Sequence, residues 1–345
     1  MVKPTINKYW KVLALAICIT TTSSCYREET VNNSPMGNFE ALWRILDEGY
    51  CFFTYKEIDW DQIYDKYKQQ ISSNMSNDQL FYVLGEMTRE LRDGHVNLAS
   101  SSNLARYWEW YEDYPRNFDE TIQENYLGTN YRIAGGIKYK ILEDNIGYIY
   151  YGDFSSPIGD GNINQILSHL ALCDGLIIDI RNNGGGNITN SSKLASHFIE
   201  EEIITGYIMH KKGPSHDSFS SPYPIKLSPA KGLRWQKGVA LLTNRHTYSA
   251  ANDFTNNMNL LDNVTLVGDR TGGGGGLPFT SELPNGWTVR YSASPHLNAD
   301  KEHIEFGIDP DLKVNMNIED KIRGKDTIIE AAKELLQKNS KTFVD

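Results

Sequence analysis

Strand-like and helix-like stretches alternate through the second two-thirds of this 345-residue chain, and that alternation predicts an α/β fold with a mainly parallel sheet. Two apolar runs, Leu176–Ile180 and Val239–Leu242, have the length and composition of fully buried strands. Each is followed by a polar or glycine-rich turn and then by apolar residues at helical spacing. The region before residue 98 instead reads as helices alone, which predicts a separate three-helix subdomain.

In chain order, Phe39, Leu42, Trp43, Ile45 and Leu46 share a helical face from Asn38 onward. A second helix runs through Trp60, Ile63, Tyr64 and Tyr67. A third starts after Ser76-Asn77-Asp78, carries Leu80, Phe81, Leu84 and Met87, and ends near Leu91. Residues 101–132 are rich in Tyr, Trp, Glu and Asn without a period, and read either as a substrate-facing loop or as an arm on the core. Ile137–Leu142 and Ile146–Tyr151 form a hairpin across Glu143-Asp144-Asn145. Helices are expected at Ile163–Leu172 and Lys193–Ile199, and strands at Val264–Val267 and Trp287–Tyr291. Residues 202–236 read as an irregular excursion, and Thr327 with Glu330 as a capping box for a last helix.

The extreme N-terminus has its own logic. Lys3, Lys8 and Lys11 flank a short apolar run, Val12–Ile19, and small residues lead to Cys25. That is the outline of a signal peptide over 1–24, and small residues before a cysteine resemble a bacterial lipoprotein signal with Cys25 as the lipidated residue. Residues 25–36 then read as a tether from a membrane to the folded chain. The expectation is an exported protein of the cell envelope, membrane-anchored on its periplasmic or surface side. Cys51 and Cys173 lie far apart without metal-ligand spacing and read as small core residues, so neither a metal nor another cofactor is expected. A net charge of −10 without a basic run argues against nucleic acid.

Three stretches carry chemistry. Ser249 stands where the strand Val239–Leu242 hands over to a helix. Unpaired N–H groups and the positive end of the helix dipole meet there, so its hydroxyl reads either as an N-cap or as a nucleophile. The turn Asp179–Asn187, with Gly184, Gly185 and Gly186, lacks the pattern of a P-loop or dinucleotide fingerprint. It is either a tight turn or a set of backbone donors for an oxyanion. His95 follows Asp93-Gly94 at the end of the third helix; as one histidine of eight it reads by default as a solvated surface residue.

Taken together, GLIIDIRNNGGGN (175–187), TYSAAND around Ser249, LRDGHVNL around His95 and EFGIDPDLKV (305–314) resemble the S41 serine peptidases, the C-terminal-processing or tail-specific and tricorn-type enzymes. The resemblance covers roughly residues 38–335. It implies a crotonase- and ClpP-like core over 135–340, a helical subdomain over 37–98 and a connecting segment over 99–134. It also implies a Ser249 nucleophile acting on peptides or unfolded proteins, with an oxyanion hole from the N–H of Ala250 and one from Gly186, with Gly185 as neighbour. The processing branch places a lysine base 25 residues after the serine, where this chain has Gly274; the tricorn-like branch uses a histidine matching His95. Glu305 resembles the distal carboxylate that orients the base, directly or through another group, with Asp93 as the alternative. Only 36 residues separate Leu98 from Gly135, so no PDZ domain is expected, since an independent domain needs more than about 50. The competing reading from the same resemblance is an inactive S41-like surface lipoprotein that binds peptides or glycans. A nucleotide site at the glycine turn is a third.

Overall fold

The computed structural model describes residues 32–342; the signal peptide, Cys25 and most of the tether lie outside them. Three helices open the chain: α1 (Pro35–Gly49), α2 (Trp60–Lys68) and α3 (Asn77–Arg89). Helix α1 starts inside the segment read as tether, because Ser34 accepts a hydrogen bond from Gly37 N–H and Pro35 supplies a preset first turn. Helix α3 starts with a full capping box between Ser76 and Gln79. Phe39, Leu42, Leu46, Leu84 and Met87 are fully buried in one core with Leu98 of β1 (Asn97–Ala99) and Val289 of β12 (Thr288–Leu297). The helices therefore close over a sheet built partly from the far end of the chain.

Residues 99–134 resolve into β2 (Leu104–Arg106), a 3-10 turn at Glu109–Tyr111, α4 (Glu120–Leu127) and β3 (Arg132–Ala134). The turn segment is the arm of the two alternatives. Trp110 stacks on Tyr248 at 4.5 Å between ring centres, and Arg245 Nε donates to the Trp110 carbonyl.

The main sheet has seven strands. Five are parallel, in the order β13 (Leu312–Lys313), β10 (Val264–Gly268), β9 (Val239–Thr243), β6 (Gly175–Asp179) and β5 (Ile146–Tyr151). The antiparallel strands β4 (Ile137–Ile141) and β3 complete it. Helices α5 (Asp160–Leu170), α6 (Ile188–Ala195) and α7 (Ala250–Met258) cover one face, and α4 with α9 (Thr327–Thr342), which follows the short α8 (Ile318–Ile322), the other. The predicted α/β architecture holds.

A second, antiparallel sheet was not foreseen: in order β2, β1, β12, β7 (Ile203–Ile208) and β8 (Tyr223–Leu227), with β11 (Gly276–Glu282) also on β12. Strands β7 and β8 occupy the excursion read as irregular. Their side chains mix exposed, half-exposed and buried positions out of alternation, which removes the pattern that marks a strand in sequence. The cap of α9 also differs from expectation. Asp326 Oδ1 accepts from Ile328 and Ile329 N–H, while Thr327 binds Asp320 and Glu330 receives the Tyr126 hydroxyl.

Asp326 has a second partner that fixes the glycine turn. Arg181, wholly buried just past β6, binds Asp179 at 2.6 Å and Asp326 at 3.0 Å. Removing the cation leaves two buried carboxylates facing each other. Arg181→Met is expected to cost about 3–5 kcal/mol of stability. Urea unfolding followed by circular dichroism measures it.

Candidate active site

The residues singled out in sequence meet where the two sheets face each other. Ser249 has φ 58° and ψ −120°, a sharp strand-to-helix elbow that L-residues rarely adopt. Its side chain makes no capping hydrogen bond, so the N-cap alternative fails. Instead Ser249 Oγ lies 3.0 Å from His95 Nε2. His95 is buried, contrary to the solvated default, and its ring meets Tyr248 edge-on. Its backbone N–H donates to Asp93 Oδ1 at 2.8 Å, and Asn97 Nδ2 donates to its carbonyl. Burial pushes the imidazole pKa down to about 4; Arg290 and Lys56 add to the fall, and Asp93 opposes it. The ring is therefore neutral near pH 7, and a neutral imidazole with Nε2 toward the hydroxyl can take its proton.

The glycine turn lies against the start of α7. A β-carbon on Gly185 would sit 2.8 Å from Ala250 N, and one on Gly186 only 2.2 Å from Ser155 N, so both positions exclude side chains. Gly185 N–H is committed to Asn183 Oδ1, which removes it as an anion donor. Among the described residues the Gly186 and Ala250 N–H groups carry no hydrogen bond. They are the donors open to an anion at Ser249.

Glu305 does not touch the His95 ring. Its Oε1 binds Lys56 Nζ at 2.7 Å and its Oε2 accepts from Gly275 N–H. Lys56 also lies 3.4 Å from Asp93 Oδ2, which in turn accepts from Tyr50 and Ser292 hydroxyls. The carboxylate therefore reaches the histidine through an intervening group: Glu305 to Lys56, Lys56 to Asp93, Asp93 to the His95 backbone. Burial raises Glu305 to about 7 against the pull of Lys56. Burial would raise Asp93 too, but the Lys56 charge and the hydrogen bonds hold it below its ordinary value. Sequence reasoning missed Lys56 altogether, since a lone lysine in a loop carries no pattern. Among the described residues His95 Nδ1 has no hydrogen-bond partner.

The glycines at the two departures from the resembling enzymes have a common cause. A β-carbon on Gly274 would lie 2.5 Å from the Tyr248 ring, and one on Gly94 would lie 2.9 Å from the Tyr248 hydroxyl. Tyr248 and Trp110 fill the space that a lysine or serine would need.

A cavity of about 460 Å³ opens beside Ser249. Ile188, Ile208, Ile225, Leu277 and Ile304 form an apolar wall, two of them from the excursion 202–236. Asp253 and His296 also line it; Asp253 accepts from Ser191 Oγ at 2.6 Å and lies 3.4 Å from His296 Nδ1. Cys51 and Cys173 are buried and unpaired. Among the described residues no cluster of His, Cys, Asp or Glu is arranged to hold a metal ion, and no helix is long and apolar enough to cross a membrane.

Residues 145–314 match peptidase family S41, and 32–89 match the tricorn protease C1 domain; His95 falls between them. A crystal structure of a candidate peptidase from Parabacteroides merdae is 57% identical, with a TM-score of 0.85, over 88% of this chain and 97% of that one. The chain belongs to peptidase family S41. Mature CPAF shares the fold at 14% identity and TM-score 0.65, over 89% of this chain and 96% of that one. The tricorn protease shares it at 18% and 0.54, over 88% and 37%. The carboxy-terminal processing protease CtpA of Bacillus subtilis is 27% identical over 179 residues, 51% of this chain and 36% of that protein. A CtpA-like serine protease of Staphylococcus haemolyticus is also 27% identical, over 52% of this chain and 35% of its own length. The matched region thus spans about a third of those curated relatives. S41 peptidases are serine-type hydrolases, and the elbow serine facing an imidazole accords with that membership.

Lys56 offers a test of the buried network. Lys56→Met strands Asp93 and Glu305 without a countercharge and is expected to cost about 3–5 kcal/mol. The double variant Lys56→Met/Glu305→Gln is expected to recover part of that loss, because it removes one of the two stranded charges. Chemical denaturation of both proteins at pH 7 compares them.

Proposed function

We propose that this chain is an exported serine endopeptidase that cleaves peptides or unfolded proteins through an acyl-enzyme on Ser249. The observation that supports this most is the 3.0 Å contact between Ser249 Oγ, on its strained elbow, and His95 Nε2. As Ser249 Oγ attacks the scissile carbonyl carbon, its proton passes to His95 Nε2. The carbonyl oxygen becomes an oxyanion between the N–H groups of Gly186 and Ala250. The tetrahedral intermediate then collapses, the C–N bond breaks and the leaving amine takes the proton from His95. Water, giving a proton to the same nitrogen, frees the acyl group and regenerates the serine. Lys56, Asp93 and Glu305 are positioning residues: they hold the His95 backbone and the glycine loop while the imidazole moves its proton.

The sequence of residues 1–25 supports export and lipid attachment at Cys25, so the peptidase would act at a membrane surface in the cell envelope. Mass spectrometry of protein from a membrane fraction tests the lipid.

Labelling by a fluorophosphonate probe tests the chemistry. Ser249→Ala is expected to abolish labelling, and His95→Ala to slow it by about a hundred- to ten-thousand-fold. Because burial holds the His95 imidazole down to about 4, the base is already deprotonated at pH 5 and above. The labelling rate is therefore expected to stay flat from pH 5.5 to 8 and to fall only as pH approaches 4. An acid limb near the ordinary histidine value of about 6.5 would count against the buried base. Undiminished labelling of Ser249→Ala would remove the proposal.

A further inference from the structure

The cavity beside Ser249 holds a polar pair that the peptidase reading does not use. Asp253 lies one helical turn beyond Ser249 in α7, where its N–H donates to the Ser249 carbonyl. His296 stands in β12 opposite Ile208 of β7. Residues opposite each other in antiparallel strands share a face, so His296 and Ile208 enter the cavity lining side by side. Asp253 and His296 are only 5% and 7% exposed. Asp253 Oδ2 accepts from Ser191 Oγ at 2.6 Å and from Asn257 Nδ2 at 3.3 Å. Among the described residues its Oδ1 receives no hydrogen bond and has His296 Nδ1 as a charge partner 3.4 Å away. His296 Nε2 is buried without a partner, and the carboxylate draws the ring proton to Nδ1. Burial raises the Asp253 carboxyl above its ordinary value, and His296, Ser191 and Asn257 offset only part of the rise.

A carboxylate oxygen and an imidazole N–H, each short of a full hydrogen bond, are met together by one atom that both donates and accepts. A hydroxyl oxygen is such an atom. A second carboxylate would face the charge of Asp253. An ammonium or guanidinium has no acceptor for the imidazole N–H and would face Arg290 on the same lining. An amide carries its donor and acceptor on separate atoms and leaves one of them against the apolar wall. That wall, Ile188, Ile208, Ile225, Leu277 and Ile304, covers the carbon atoms of an entering side chain. Gly186 and Ala250, whose N–H groups are open to an anion, line the same cavity. A substrate residue whose carbonyl oxygen sits between them places its side chain in this space, on the acyl side of the bond that breaks.

We infer that Asp253 and His296 form a hydroxyl receptor for the side chain of the residue whose carbonyl carbon Ser249 attacks. The hydroxyl donates to Asp253 Oδ1 and accepts from His296 Nδ1, so the pair selects serine, threonine or tyrosine at that position. A site that hydrogen-bonds a substrate hydroxyl rejects the analogue without it, because its own buried polar groups are then left unpaired. The inference rests on the peptidase reading for the orientation of the substrate, but a binding measurement tests it without turnover.

Calorimetric titration of the Ser249→Ala protein with N-acetylated tripeptide acids provides that test. Such an acid is the product of hydrolysis, so its last residue occupies the acyl side. Two alanines precede a variable last residue, and the peptides form twins that differ by the hydroxyl: valine with threonine, and phenylalanine with tyrosine. In at least one pair the hydroxyl twin is expected to bind about ten-fold or more tightly than its apolar partner. His296→Leu in the same background is expected to bring that ratio to one or below, and Asp253→Asn, which keeps an acceptor, to retain part of it. Because the ratio is taken within each protein, a general loss of affinity in a variant cancels. Equal binding within both pairs overturns the inference, as does a hydroxyl preference that survives His296→Leu and Asp253→Ala. A lysine or glutamate end that binds more tightly than either hydroxyl end overturns it too. Loss of fluorophosphonate labelling in the natural protein would instead count against the peptidase reading while leaving this ratio measurable.

Discussion

The site depends on one buried cation. Lys56 joins the loop after α1 to Asp93 at the end of α3 and to Glu305 near the far end of the chain. Each carboxylate then holds a different piece of backbone: Asp93 the N–H of His95, Glu305 the N–H of Gly275. Desolvating three charges is expensive, and only their mutual pairing and these hydrogen bonds offset it. The cost is met at the point where the N-terminal helices dock on the core and bring the histidine to the serine.

A second buried cation does the same for the other half of the site. Arg181 pins the end of β6 to the start of α9, which fixes where the glycine turn begins. From there Asn183 holds Gly185 through its N–H and leaves Gly186 free. The donors are therefore set by the rigid strand end and not by the turn itself. Aromatic packing completes the enclosure. Tyr248 lies against the His95 ring and under Trp110, and the glycines at 94 and 274 give it room.

Legibility in the sequence followed periodicity. Buried parallel strands such as β9 stood out because Val239–Leu242 is apolar throughout, and α3 stood out through Leu80, Phe81, Leu84 and Met87 at helical spacing after Ser76-Asn77-Asp78. Strands β7, β8 and β11 did not, because their half-exposed faces carry polar and apolar residues without alternation. Ser249, His95 and the glycine turn were legible through family motifs, and they lie side by side in the fold. Lys56 was not, since an isolated charged residue has no local signature.

The sequence by itself determined the fold class, the elbow that presents Ser249 and the residue types able to act there, because these follow from local spacing and turn chemistry. Only the tertiary structure decided that Glu305 reaches His95 through Lys56 and Asp93, and that Gly186 and not Gly185 has a free N–H. Those are properties of contacts between segments up to about 250 residues apart, as between Lys56 and Glu305. Burial at such contacts sets which charges are paired and which hydrogen bonds are spent, and no stretch of sequence encodes that alone.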